Sequence, residues 1–134
     1  MTAEWRQATG RGDLAAIERL LDSGVDVDAR DEHGQTALMN AARDGRTDVV
    51  RLLAARGARL DHTAKFGLTA LMLSVIRGHV DAARVLVEAG ADLHVQGRGA
   101  PGFHGKTAWD LAVAGGSESM KDLFRRGGAG DSPS

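Results

Sequence analysis

The side chains that could do chemistry are few and spread along the chain. The histidines are His33, His62, His79, His94 and His104. Two metal ligands on one helix face need a separation of four residues, and no histidine pair has it. His62 and His94 fall near the same point of successive stretches, with Asp61 and Asp92 beside them. If those side chains approached, they could hold a divalent cation or activate a water. The competing reading is of solvated loop residues. Asp26, Asp28 and Asp31 cluster near one turn, but their spacing is not that of a calcium-binding EF-hand loop. Ser74 sits in an apolar stretch as a small packing residue whose hydroxyl bonds back to its own helix. There is no Gly-Xaa-Ser-Xaa-Gly nucleophile elbow. Gly97-Arg98-Gly99 starts a Gly-Xaa-Gly pattern but lacks a preceding strand and the Lys-Ser/Thr of a phosphate loop. With no cysteine, disulfides, thiolate zinc sites and cysteine nucleophiles are excluded. The sequence therefore assigns no catalytic, cofactor-binding or metal-binding residue.

Composition narrows the class further. The chain has 134 residues, 43% of them hydrophobic and only 4% aromatic, with Ala, Gly and Leu dominant. That suits thin helices packed through small side chains. The net charge of −1 lacks the basic surplus of a nucleic-acid binder. No apolar run approaches the roughly 20 residues that span a bilayer. The N-terminus shows no charged-then-apolar leader pattern, so the expected compartment is the cytoplasm. The excess of Arg over Lys suggests a GC-rich, bacterial coding sequence.

The elements that would position these residues repeat. Gly34-Gln35-Thr36-Ala37-Leu38-Met39 recurs as Gly67-Leu68-Thr69-Ala70-Leu71-Met72, and more loosely as Gly105-Lys106-Thr107-Ala108-Trp109-Asp110. The glycines Gly12, Gly45 and Gly78, and Gly24, Gly57 and Gly90, keep the same period. Such self-similarity marks a stacked array. Four units follow, at about 1–30, 31–63, 64–96 and 102–128. An insertion at 97–101 is expected to form an irregular, extended loop, and 129–134 a flexible tail. Each unit reads as two helices. In the first, Gly10 and Gly12 break the helix, Asp13 caps the second helix, and Leu14, Ile17, Leu20 and Leu21 give a buried face. In the next two, Thr36 and Thr69 cap the first helices. Val49, Val50, Leu52 and Leu53, then Ala82, Ala83, Val85 and Leu86, line the second. Met120, Leu123 and Phe124 supply the last buried stripe.

These residues resemble the ankyrin repeat, from about Ala3 to Gly128. Gly34, Thr36, Leu38, Ala41, Ala42, Gly45, Val50, Leu53, Gly57 and Ala58 fit the family pattern. Gly67, Thr69, Leu71, Gly78, His79, Leu86, Gly90, Ala91 and Asp92 fit it again. The family's proline is replaced by Ala37, Ala70 and Ala108, and its histidine by Met39, Met72 and Asp110. Fewer inter-repeat hydrogen bonds and more apolar stacking are therefore expected. By its place in the pattern, His79 would make local hydrogen bonds. Trp5 and Trp109 take the register of Leu38 and Leu71, filling wider space at each end.

The resemblance implies an all-α ankyrin-repeat solenoid with projecting finger loops. It also implies a non-enzymatic module that binds a protein partner through the fingers and the concave face. On the second unit the matching positions are Glu32, His33, Gln35, Arg43 and Asp44. On the third they are Lys65, Phe66, Leu68, Ile76 and Arg77; on the fourth, Phe103, His104 and Lys106. Phe66, Leu68 and Ile76 are large and apolar where the second unit is polar, which marks a partner patch. Alternatively, the inserted loop with Pro101 and Phe103 folds back over it. A monomer is expected, with no cofactor, nucleic acid or membrane partner, in the role of an inhibitor, immunity or accessory protein. A self-associating module and a metal-dependent enzyme built on His62 and His94 are the alternatives.

Overall fold

A computed structural model describes residues 1–126. Its helices are α1 (Ala3–Arg11), α2 (Leu14–Asp22), α3 (Ala37–Asp44), α4 (Thr47–Ala55), α5 (Ala70–Ile76), α6 (Val80–Glu88), α7 (Ala108–Gly115) and α8 (Glu118–Arg126). The odd-numbered helices stack in order as a first row, and the even-numbered helices as a second. Each odd helix also packs on the even helix that follows it. Among the described residues, pairing of extended backbone is limited to the isolated bridges Arg30–Thr36 and Gly97–His104. This is an all-α solenoid. The proposed flexible tail at 129–134, and the end of the last unit at 128, lie outside the described residues.

Capping starts the first-row helices where the repeated threonines fall. Thr36 Oγ1 accepts the Met39 N–H at 3.3 Å and Thr69 Oγ1 the Met72 N–H at 3.2 Å. Thr107 and Asp110 form a reciprocal capping box. Each such cap contributes about 1 kcal/mol. Met39 and Met72, in the family's histidine position, are fully buried. The Ser74 hydroxyl donates to the Leu71 carbonyl at 2.7 Å, as expected.

Several expectations are corrected. Gly10 lies inside α1, and Gly12 alone ends it, with φ 71°. In α2 only Ala16 and Ile17 are buried; Leu14 is exposed and Leu20 and Leu21 half-buried, because no earlier unit covers that helix. His79 makes no side-chain hydrogen bond among the described residues. Its imidazole lies on Gly45 instead, where a β-carbon would stand 2.6 Å from Nδ1, and Gly45 has φ 74°. The two tryptophans differ. Trp5 is fully buried, its Nε1 without a hydrogen-bond partner among the described residues. Trp109 is half-buried, edge-on to Phe124 at 6.3 Å and beneath the Arg125 guanidinium at 5.9 Å.

The insertion is irregular but not extended; it folds back through turns and bends. Equivalent fingers close by one backbone bond, Asp31 N–H to Gln35 O at 2.8 Å and Ala64 N–H to Leu68 O at 2.9 Å. In the long finger Gly97 N–H donates to Lys106 O at 2.9 Å, so the extra residues sit inside an ordinary closure. Gly105 N–H returns a bond to Gly97 O at 2.9 Å. Gly97 is required for this approach, since a β-carbon there would lie 2.5 Å from the Phe103 carbonyl oxygen.

Candidate binding surface

Two surfaces gather the residues singled out from sequence. The first is a concavity of about 380 Å³ between the second finger and the first-row helices α1 and α3. Glu32, His33, Gln35, Arg43 and Asp44 all line it. Arg43 ties it together, donating to Gln35 Oε1 at 3.0 Å and to Asp44 Oδ1 at 3.1 Å. The sequence reading missed Arg6, Thr9 and Gly10 of α1, which form the opposite wall. The period would have found them, since Gly10 takes the register of Arg43 and leaves the space open.

Asp31 fixes the shape of that finger. Its carboxylate accepts the N–H groups of His33 at 2.8 Å and Gln35 at 3.0 Å, and the Asn40 side-chain amide at 3.2 Å. Partial burial pushes its pKa up. The hydrogen bonds from Gln35, Asn40 and His33 outweigh this and hold the carboxyl below its ordinary value.

The second surface joins the third and fourth fingers. Phe66 sits at φ 64°, the one non-glycine residue in the left-handed region among the described residues. Its ring lies 5.7 Å from that of Phe103. Its carbonyl accepts the Arg98 N–H at 2.7 Å, and the Lys65 ammonium stands 5.0 Å from its ring centre. The long finger therefore does fold back, onto Phe66 and the neighbouring Gly67. Both rings remain half-buried, and His104 and Lys106 are exposed.

The proposed apolar patch is not continuous. Leu68, expected at the surface, is only 7% exposed. Its carbonyl closes the finger and its side chain joins the core. Ile76 is 40% exposed but lies apart. With Arg77 it lines a groove of about 200 Å³ against Leu111 and Gly115 of α7.

The acidic and histidine residues considered for metal binding are divided among separate structural bonds. Asp26 Oδ1 accepts the Asp28 N–H at 2.9 Å. Asp28 Oδ1 accepts the Arg59 N–H at 2.9 Å, and one repeat later Asp61 Oδ1 accepts the Asp92 N–H at 2.8 Å. His62 Nδ1 meets the Arg30 guanidinium at 3.0 Å. Among the described residues no group of three or more His, Asp or Glu could hold a metal ion. No described helix is long and apolar enough to cross a membrane.

The chain is similar to known proteins over part of its length. A horse protein named Ankyrin repeat, SAM and basic leucine zipper domain-containing protein 1 is 46% identical over 55 residues, which is 41% of this chain and 12% of that protein. Human Ankyrin repeat domain-containing protein 29 is 56% identical over 52 residues, 38% of this chain and 17% of the relative. The chain thus matches only a small part of these relatives' length. A family model described as ankyrin repeats, in three copies, matches residues 5–97. With its stacked helix pairs and closed fingers, the chain belongs to the ankyrin repeat family.

Proposed function

We propose that this chain is a non-enzymatic module that binds a protein partner, with the fingertips around Phe66 as its anchor and the concavity beside Arg43 as a second contact. Ankyrin repeats are generally protein–protein interaction modules. The observation that carries the site is the conformation of Phe66. A left-handed backbone costs a non-glycine residue about 1–2 kcal/mol. The Phe103 contact returns about 0.5–1.5 kcal/mol, so the fold gains little net from an aromatic there. Strain of this kind collects at functional positions. The array acts as a monomeric cytoplasmic inhibitor, immunity or accessory protein in a bacterial cell.

Affinity capture from the source cell tests this, with wild type beside Phe66→Gly. Glycine accepts φ 64° without strain, so the variant keeps its fold within about 1 kcal/mol, checked by chemical denaturation. A protein held by wild type and lost by the variant is the expected result. A protein held equally by both removes the fingertips from the site.

One observation favours self-association as a second reading. Val113 is 47% exposed, whereas Val75 and Ala42 in the same register are 7% and 0% exposed. The last helix pair thus leaves apolar surface uncovered. A mass that rises with concentration in light scattering, and falls back in Val113→Asp, would support it over the monomer.

A further inference from the structure

One end of the row of fingers carries cations without nearby acidic residues in sequence. From 62 to 69 and from 95 to 107 the chain carries Lys65, Arg98 and Lys106 and no Asp or Glu. These cations belong to the paired third and fourth fingers. Lys65 stands against the Phe66 ring, the Arg98 N–H bonds the Phe66 carbonyl, and the Lys106 N–H donates to the Phe103 carbonyl at 2.9 Å. All three are exposed, and none makes an ion pair among the described residues. The second-row helices differ. There Arg56 meets Glu18 and Asp22, Arg84 meets Asp81, and Lys121 meets Glu118. Asp61 and Asp92 accept backbone N–H groups at the finger bases, and Asp110 accepts the Thr107 N–H beside Lys106.

We infer that the partner segment held by these fingertips is acidic: extended polypeptide whose carboxylates face Lys65, Arg98 and Lys106, with an apolar side chain resting on the Phe66–Phe103 pair. This rests on the protein-binding reading above and adds the chemistry of the partner. Unpaired cations around an aromatic anchor supply steering and register, and the ring contact supplies the desolvated centre. Glu32, exposed on the neighbouring finger, repels carboxylates and confines the acidic stretch to the Lys65–Lys106 end. A nucleic-acid backbone is the less suitable occupant. The chain as a whole carries −1, and three cations release few counterions.

The test is selection of random 12-residue peptides displayed on phage against the immobilised full chain, followed by affinity measurement on the enriched synthetic peptides. Enriched peptides should carry clustered Asp or Glu beside an apolar residue. The triple reversal Lys65→Glu, Arg98→Glu, Lys106→Glu should weaken them at least about tenfold, whereas Arg19→Glu on α2 should not. Raising salt should weaken them as well. Replacing their carboxylates by Lys should restore binding to the triple variant, which excludes simple unfolding as the cause of loss. Enrichment of neutral or basic peptides, no enrichment at all, or equal loss in Arg19→Glu would overturn the inference. So would displacement of the acidic peptides by oligouridylate at equal concentration. If Phe66→Gly abolishes peptide binding while the triple reversal leaves it intact, the protein-binding site stands and its acidic specificity falls.

Discussion

Asp31 illustrates how one side chain sets a finger. Its carboxyl is raised by partial burial and lowered more by Gln35, Asn40 and His33, for a net pKa below 3.8. The ionised form is thus favoured in the folded state. Its stabilisation is present above the unfolded value, at and above about pH 4, and is lost as pH falls through the depressed folded value. The melting temperature of wild type should therefore drop over the interval below about pH 4. Asp31→Asn should start lower at neutral pH and lose less over that interval; an equal loss would show that Asp31 has no part in the acid response. Glu118, held low first by the hydrogen bond from Lys121, is solvent-exposed, and its pair is screened. At Phe66 the residue type and its place in the repeat register are legible in the sequence. The left-handed backbone needed the structure, since the docked Arg98 N–H and the Phe103 ring meet Phe66 through tertiary contacts, beside the Lys65 ammonium.

Elements meet through side chains that recur with the repeat. Replacing the family's histidine with methionine removes one route for linking units, and an aspartate rung supplies another: Asp28 to the Arg59 N–H, then Asp61 to the Asp92 N–H. Each bond crosses from one unit to the next at the finger base. Asp28→Ala and Asp61→Ala should each cost about 1 kcal/mol in chemical denaturation. The double variant should be additive within about 0.5 kcal/mol, because the two bonds serve different junctions. Costs below about 0.3 kcal/mol would reduce the rungs to surface decoration. Asp28 is near Asp26 and Asp31 along the chain, and Asp61 is beside His62, so each reads from sequence as part of a separate candidate cation site. Their actual partners are backbone groups some thirty residues away.

The described helices form a row of units that stack on their neighbours, so stability is concentrated in the middle. Leu38, buried between neighbours on both sides, should cost about 2–5 kcal/mol on replacement by Ala. Val113 is as apolar but half-exposed at the end of the array. Val113→Ala should stay within about 0.5 kcal/mol of wild type, measured under the same denaturation conditions. Equal costs would mean that another chain covers Val113 in solution, which is the self-association reading.

The repeat period, the helix pairs, the threonine caps and most of the buried register follow from sequence by itself. They depend on local capping and on apolar spacing that every unit restates, so Leu38 predicts Leu71 and Thr36 predicts Thr69. The tertiary structure alone decided that Leu68 turns inward, that the long finger closes between Gly97 and Lys106, and that Phe103 comes to rest on Phe66. It also decided that Arg6 completes the concavity begun by Arg43. These outcomes depend on contacts between units or across an insertion that breaks the period. The chain's spacing no longer fixes them there; packing, the fit of Gly97 beneath Phe103 and the backbone bond from Arg98 do.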